Sequence, residues 1–380
     1  MDGLAQPAPL ADLVRAFAAG AAAHDRAGSF PHENFALLRE AGLPGLTVPR
    51  RWGGEEAGLA RCTAVIGTLA EGCPATALVL AMQLIQLRTL LADPAWPEAL
   101  RARLAREAVE EGALFNALRV EPELGTPARG GLPATILRRS PEGWRLSGRK
   151  IYSTGAPGLR WMLVWARTDE ASPRTGLALV EAGTPGLRIE ENWDQAGLRA
   201  SGSHDVVFEE VTLPLAQAPD LRPPADWARP DAAVAAWNTL PIAALYTGVA
   251  RAARDWLVRF LRDRVPGSLG APLATLPRMQ EAVGRIEALL LANDRIIAAA
   301  AAAQDAGEGP SAAESGLIKT LAAENAIQVV QEAVALCGNH ALARANPLER
   351  HLRDVLCARI HTPQPDAAHT LAGRLALGLA

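Results

Sequence analysis

Hydrophobic positions in the first 115 residues recur at the spacing of amphipathic helices. Apolar residues fall at i, i+3 and i+4, so they share one face of a helix. Prolines and glycines, which end helices, interrupt the pattern at 44–45, 49, 53–54 and 94–97. The pattern predicts helices at 10–23, 33–41, 59–70, 75–92 and 98–111. It therefore indicates an N-terminal helical domain at 1–115.

The pattern changes after residue 115, where short apolar segments alternate with turn residues. The predicted strands are 144–147, 161–167, 176–181, 187–190 and 205–208. Too few helical residues separate them for crossovers between parallel strands, so a small antiparallel barrel or sandwich is favoured. We therefore expect a β domain at 116–220, closed by a proline-rich linker at 214–230.

Long helical segments return after the linker. They are predicted at 232–264, 276–306, 311–336 and 347–360. Four long helices with short connections are typical of an up-and-down bundle, which we place at 231–380. The expected fold is thus mainly α with a central β domain: an N-terminal helical domain, a small antiparallel β-barrel or sandwich, and a C-terminal four-helix bundle.

Composition narrows the class of protein. The chain has 380 residues, 49% of them hydrophobic, and a formal net charge of −3. It can bury a sizeable core, and it has no basic footprint for nucleic acid or an anionic membrane. The four cysteines lack CxxC spacing and a nearby histidine pair, so we expect neither a metal site nor disulfides. Without a signal peptide or a membrane-length apolar run, a soluble cytoplasmic protein is expected.

Four segments carry motifs that occur in the same order in one protein family. They are GLPGLTVPRRWGG at 42–54, GRKIYSTG at 148–155, WDQAGLRASGSHDVVFEEV at 193–211 and NPLERHLRD at 346–354. Together they extend across nearly the whole chain and fit its helical, β and helical zones. On these motifs the chain resembles the acyl-CoA dehydrogenase superfamily of flavoproteins.

The resemblance implies a flavin between the β domain and the C-terminal bundle. FAD is the expected cofactor, and FMN is the alternative. Tyr152, Ser153 and Thr154 match positions whose backbone and hydroxyl groups face the flavin ring. A reduced flavin needs donors and acceptors placed along its ring, which suits these residue types. Without the surrounding motif, the same three residues would be an ordinary strand end.

Other cofactor contacts implied by the resemblance are only partly retained. Val120 stands where a flavin-contacting threonine is usual, and Thr126 stands where a nearby serine is usual. Arg264 matches an arginine that reaches the flavin nucleotide of a neighbouring subunit, and Gly338 lies in a region that also contacts the neighbour. The resemblance therefore implies a homodimer or homotetramer. For Arg264, the alternative is a solvated arginine in a charged helix end.

Dehydrogenation of an acyl-CoA needs a carboxylate that removes the α-proton while a hydride leaves the β-carbon. Relatives carry it nine residues after the arginine that matches Arg353, or on the first bundle helix. Those positions are Thr362 and Asn238 here, and neither is a carboxylate. Asp366, four residues after Thr362, is the remaining candidate base.

A second branch of the superfamily uses the same fold in reduced-flavin monooxygenases. The segment at 150–155, and Ile360 with His361, match the pattern of that branch. The match makes His361 a candidate to donate or accept a proton above the flavin. The alternative is a histidine satisfied at a helix end. A further histidine of that branch is replaced by Gln83.

We therefore expect an FAD-dependent oxidoreductase that acts on an acyl-CoA-like or other small organic substrate. A reduced-flavin monooxygenase of the same fold is the alternative, and a catalytically silent binding protein is a second one. The expected partner is an electron-transfer flavoprotein or a flavin reductase. His361 and Asp366 are the candidate catalytic residues.

Overall fold

The computed structural model describes residues 9–124, 131–227 and 231–379. Its N-terminal helices are α1 Leu10–Ala27, α2 His32–Glu40, α3 Leu59–Gly72, α4 Pro74–Ala92 and α5 Glu98–Arg106. All five predicted helices are therefore present, with shifted ends. The largest shift is in α5, which gives way to a π-helical turn at Glu107–Glu111.

A mixed sheet follows the N-terminal helices. Its strands are β1 Leu114–Leu118, β2 Ile136–Ser140, β3 Gly143–Lys150, β4 Leu159–Thr168, β5 Thr175–Glu181, β6 Leu187–Glu190, β7 Asp205–Leu213 and β8 Leu221–Arg222. The strand order is β6-β7-β3-β2-β4-β5-β8, with β1 beside β4. Most pairings are antiparallel, as expected.

Two pairings differ from the purely antiparallel domain that the sequence predicts. β4 runs parallel to both β1 and β2. Parallel neighbours need a long connection, and the β2–β3 hairpin supplies one between β1 and β4. Strand β1 was not predicted because its sequence, Leu-Phe-Asn-Ala-Leu, is mostly buried on both faces and shows no alternation of period two.

The C-terminal part of the chain is helical, as predicted. Its helices are α6 Ala232–Asp263, α7 Pro277–Asp305, α8 Ala312–Cys337, α9 Asn339–Leu342, α10 Leu348–Leu356 and α11 Pro365–Ala376. The prediction extends α10 to residue 360, but it ends at Leu356. Helix α11 was not predicted. Its Pro365 occupies the first helical position, where proline is favoured.

One hydrophobic core joins the two helical parts of the chain. It takes residues from α1, α3 and α4 and from α6, α7, α8 and α10. Helix α4 is apolar on all sides because α3, α6 and β1 cover it. Helices α4 and α6 are long and apolar enough to cross a membrane, but 72% of each apolar window is buried inside the protein. Burial on this scale is typical of the core helices of a folded protein.

Candidate active site

The turn that follows β3 holds the three residues predicted to face the flavin. Tyr152 adopts a left-handed backbone conformation with φ of 55°. The backbone after it is fixed, because the N–H of Ser153 donates to the His204 carbonyl (3.1 Å) and that of Gly155 to the Ser201 carbonyl (2.9 Å). The Tyr152 side chain is 54% exposed and is therefore available to a ligand.

Hydroxyl groups line the inner side of this turn. The Oγ of Ser203 donates to the Oγ1 of Thr154 (3.1 Å) and lies 2.7 Å from the Oγ of Ser201. The Oγ of Ser153 is buried and has no hydrogen-bond partner among the described residues. A buried polar group left unpaired costs about 1–3 kcal/mol, and a flavin ring at this turn would offer the missing partner. The residues present therefore fit the predicted cofactor.

A buried ion pair supports this turn from behind. The Nζ of Lys150 donates to the Oε1 of Glu121 (2.6 Å), and Glu121 also accepts from the Oγ1 of Thr135 (2.6 Å). Burial lowers the pKa of Lys150 to about 8. Burial alone would raise the pKa of Glu121, but the hydrogen bonds from Lys150 and Thr135 hold it below its usual value. The carbonyl of Val120 accepts from the N–H of Ile151 (3.0 Å), so the predicted Val120 loop does reach this strand.

His361 is held by a tyrosine that the sequence analysis did not select. Its Nδ1 lies 2.7 Å from the Oη of Tyr246, a fully buried residue of α6. Burial, and then the charge of Lys319, lower the pKa of His361 to about 4. Burial raises the pKa of Tyr246 well above its usual value. At neutral pH the pair is therefore a neutral imidazole and a neutral phenol. The hydrogen bond between them fixes the orientation of the imidazole ring.

Lys319 of α8 organises the turn that carries His361. Its fully buried Nζ donates to the carbonyl oxygens of Ala358 (2.7 Å), His361 (2.6 Å) and Pro363 (3.1 Å). Burial lowers the pKa of Lys319 to about 8. The scarcity of lysine is the signal in the sequence that could have found this residue, because only Lys150 and Lys319 are lysines among the 38 lysines and arginines of the chain.

The two positions expected to carry a carboxylate base are exposed. Thr362 follows His361 directly, and Asn238 lies in the second turn of α6. Asp366 lies in the first turn of α11 and is exposed as well. The imidazole of His361, by contrast, is held in place by its contact with Tyr246.

The remaining predicted cofactor residues lie elsewhere on the chain. Arg264 is exposed at the end of α6, and Gly338 follows α8 with φ of 55° and nothing within 4 Å of an added Cβ. No described contact joins either of them to Tyr152. Thr126 lies outside the described residues. The roles of all three stay predictions.

Gln83, which replaces a histidine of the monooxygenase branch, is fully buried in α4. Its Nε2 donates to the carbonyls of Pro44 and Ala113, both at 3.1 Å, and its Oε1 accepts from the N–H of Phe115 (2.5 Å). The amide is therefore occupied by backbone groups and joins α4 to the start of β1.

The loop at 193–199 links the flavin turn to α10. The Trp193 ring lies edge-on to Tyr152, with 6.2 Å between centroids. The N–H of Leu198 donates to the Oδ1 of Asp354 in α10 (2.6 Å), and burial raises the pKa of Asp354 to about 6. The turn with His361 follows α10 directly. The two halves of the candidate site are thus connected through one loop.

Models of three acyl-CoA dehydrogenase domains match successive parts of the chain. The N-terminal domain matches residues 9–94, the middle domain 119–211 and the C-terminal domain 240–364. The matches cover most of the chain, in the order of the fold. The chain belongs to the acyl-CoA dehydrogenase family.

Relatives within this family carry different activities in their names. YdbM of Bacillus subtilis, which bears an acyl-CoA dehydrogenase name, is 35% identical over 93% of this chain and 91% of its own length. The L-evernosamine nitrososynthase of a Micromonospora species is 32% identical over 97% of this chain and 89% of its own length. A crystal structure of KijD3 with FMN and a dTDP-linked amino sugar is 29% identical, covers 99% of this chain and 96% of that one, and has a TM-score of 0.85.

Membership in the acyl-CoA dehydrogenase family confirms the predicted fold and the predicted class of enzyme, a flavin-dependent oxidoreductase. It also confirms the cofactor, since the family uses FAD and the KijD3 structure contains FMN. Acyl-CoA-like substrates and a relationship with electron-transfer flavoprotein hold at the level of the family.

Proposed function

We propose that this flavin-dependent oxidoreductase is a reduced-flavin monooxygenase that oxygenates a small organic amine. The observation that carries the proposal is the replacement of the carboxylate base. Threonine and asparagine occupy both expected positions, while His361 is held as a neutral imidazole by Tyr246. A carboxylate in reach of the α-carbon is needed for thioester dehydrogenation, but oxygenation of a nitrogen breaks no C–H bond.

The relatives support an amine as the substrate class. Two of them are named as nitrososynthases, at 32% and 30% identity, and one of these names specifies an amino sugar. KijD3 was crystallised with a dTDP-linked 3-amino sugar. An amine reacts with an electrophilic oxygen only when its nitrogen is unprotonated, so an uncharged hydrogen-bonding group such as the His361 imidazole suits it.

The proposed roles of the residues follow from their geometry. Ser153 and Thr154 bind and orient the flavin ring through their hydroxyl and backbone groups. When bound, reduced flavin supplies the two electrons with which one oxygen atom of O₂ becomes water while the other enters the substrate. The Nε2 of His361 hydrogen-bonds the substrate nitrogen, because Nδ1 is occupied by Tyr246, and its lowered pKa keeps the imidazole uncharged beside the substrate. Lys319 holds the backbone of that turn in place.

A second candidate function is acyl-CoA dehydrogenation with Asp366 as base. The 35% identity to YdbM favours it, as does the position of Asp366 in the first turn of α11, just after the expected base position. In this case the electron acceptor is an electron-transfer flavoprotein, whereas the monooxygenase needs a flavin reductase.

The two functions differ in what they do without oxygen. Anaerobic mixing of the flavin-loaded protein with butyryl-CoA should leave the flavin oxidised if the protein is a monooxygenase. With reduced flavin, ¹⁸O₂ and a dTDP-linked amino sugar, the product should carry ¹⁸O. His361→Ala should abolish that product and retain flavin, while Asp366→Asn should leave it unchanged. Rapid reduction of the flavin by butyryl-CoA, lost in Asp366→Asn but not in His361→Ala, would instead establish the dehydrogenase.

We further propose a homodimer or homotetramer that works in the cytoplasm. The exposed positions of Arg264 and Gly338 support an assembly in which they reach a neighbour's cofactor. Light scattering of the flavin-loaded protein tests this directly, since a monomer that retains flavin would contradict it.

A further inference from the structure

A cavity of about 430 Å³ lies between α1, the 195–199 loop and α10. Its volume is within the range of roughly 300–1,000 Å³ that is typical of small-molecule sites. Its lining contains five arginines and two carboxylates. The arginines are Arg26, Arg199, Arg344, Arg350 and Arg353. The cavity is separate from the flavin turn, although both border the same loop.

Both carboxylates of the lining form ion pairs with the same arginine. Arg353 donates through Nη1 and Nη2 to the two oxygens of Asp25 (2.9 and 2.7 Å). It also donates through Nε and Nη2 to the two oxygens of Glu349 (2.8 and 3.0 Å). Arg199 pairs with Asp194 (2.8 Å), which lies outside the lining. The acidic groups of the cavity are therefore already occupied.

Three guanidinium groups remain without an ion-pair partner in the described part of the chain. They belong to Arg26, Arg344 and Arg350. The Nε of Arg350 is buried and has no hydrogen-bond partner among the described residues. Positive charges gathered on a concave wall attract an anion and focus its field, and a buried N–H without an acceptor is costly.

We propose that this cavity binds the diphosphate group of a nucleotide-type ligand. Guanidinium forks bind phosphate oxygens through paired N–H donors, and three unpaired guanidinium groups complement the charge of a diphosphate. The volume leaves room for an attached organic group. Coenzyme A and nucleoside diphosphate sugars both carry this group, so either could supply the ligand. If the ligand is a dTDP-linked amino sugar, the inference rests on the proposed function, but its test measures binding and needs no turnover, so the two can fail separately.

The test is calorimetric titration of the flavin-loaded protein at low salt with inorganic pyrophosphate, CoA and dTDP. We expect saturable binding of pyrophosphate that weakens as salt is added. Arg344→Gln and Arg350→Gln should each raise the dissociation constant about tenfold or more, the loss expected for a charge-assisted contact. The matched control is Arg278→Gln, an exposed arginine at the start of α7 outside the cavity, which should leave binding unchanged. Because Arg344 is exposed, its variant should fold even if Arg350→Gln does not.

The two organic probes distinguish the source of the diphosphate. Tighter binding of CoA than of dTDP assigns the cavity to coenzyme A, and the reverse order assigns it to a nucleotide sugar. The proposal is overturned if none of the three probes binds saturably. It is also overturned if Arg278→Gln raises the dissociation constant as much as the two cavity variants do. Binding confined to flavin-free protein also overturns it, since the cavity would then serve the cofactor. None of these outcomes depends on whether the enzyme is a monooxygenase.

Discussion

Only Lys150 and Lys319 are lysines among the 38 basic residues of the chain, and both are fully buried. An ammonium group is a compact donor of three hydrogen bonds, whereas a guanidinium is a wide planar fork. Lys319 uses the three donors on three carbonyl oxygens around one turn. Lys150 forms a buried ion pair with the carboxylate of Glu121 behind the flavin turn. Each lysine thus supports one half of the candidate site.

Removing Lys319 should impair turnover more than cofactor binding. Lys319→Met leaves three buried carbonyl oxygens without their donor, so we expect the free energy of unfolding to fall by about 2–4 kcal/mol. Turnover should fall at least tenfold, because His361 loses its fixed position, while the dissociation constant of the flavin stays within about twofold. Urea unfolding, flavin titration and steady-state kinetics measure these effects.

Two further variants control this prediction. Lys319→Arg should restore the charge but not the turnover, because a planar fork does not match the three carbonyl directions. Lys150→Met should show the opposite pattern, with weakened flavin binding, since Lys150 lies behind the flavin turn. Full turnover in Lys319→Met would show that the turn with His361 keeps its position without the hydrogen bonds from Lys319.

At the scale of elements, the start of α3 is capped by a residue from another helix. The Oδ1 of Asp305, the last residue of α7, accepts from the N–H of Leu59 (2.6 Å), and its Oδ2 accepts from that of Ala60 (2.9 Å). The N-cap residue itself is Gly58, which has no side chain, and an added Cβ there would lie 2.5 Å from Asp305. A carboxylate at this end also interacts favourably with the helix dipole.

Asp305→Ala should therefore destabilise the protein by about 1–2 kcal/mol, the usual cost of losing an N-cap. Asp305→Asn keeps one acceptor but no charge, so it should cost about half as much. Chemical denaturation followed by circular dichroism measures both. If alanine and asparagine give equal stability to the wild type, the contact contributes nothing in solution.

The helices could be predicted from the sequence because their apolar residues repeat locally, but this cap could not. Asp305 lies 246 residues from Leu59 along the chain, and locally it marks the turn after α7. The same limit explains Tyr246, whose hydroxyl meets His361 only once α6 and the turn after α10 have packed. The flavin turn was identified because its residues are contiguous, so a motif could carry them.

At the scale of the whole molecule, α10 connects parts of the chain that are far apart in sequence. Arg353 pairs with Asp25 of α1 and donates to the carbonyl of Ala196, while Asp354 accepts from Leu198. These contacts tie the N-terminal helices, the sheet and the C-terminal bundle together at one place, next to His351 of the same helix. His351 is fully buried, and its Nδ1 has no hydrogen-bond partner among the described residues.

His351 should make the whole fold sensitive to acid. Burial, and then the charge of Arg350, lower its pKa from 6.5 to about 3. Between these values the unfolded chain binds more protons, so stability falls as pH falls. Asp354 opposes this trend between its ordinary value of 3.8 and about 6, because its raised pKa makes the folded state bind a proton more readily.

His351→Leu isolates the contribution of the histidine. When the pH is lowered from 7 to 4.5, the free energy of unfolding should fall in both proteins. The fall should be about 2–3 kcal/mol smaller in the variant, because the wild type must also protonate His351 on unfolding, which over this pH range corresponds to about two pKa units. Urea unfolding at the two pH values measures the difference. An equal loss of unfolding free energy in the wild type and in His351→Leu would contradict the assignment.

During synthesis, α4 leaves the ribosome long before the helix that completes its cover. It ends at Ala92, and α6 begins only at Ala232. At about 5–20 residues per second, the nascent chain leaves the α6-facing side of α4 bare for roughly 7–30 seconds. A bare helix with a mean hydropathy of 1.5 attracts both chaperones and the membrane-insertion machinery. Helix α4, a core helix of the finished protein, is therefore a segment of the nascent chain that needs a chaperone until α6 has been made.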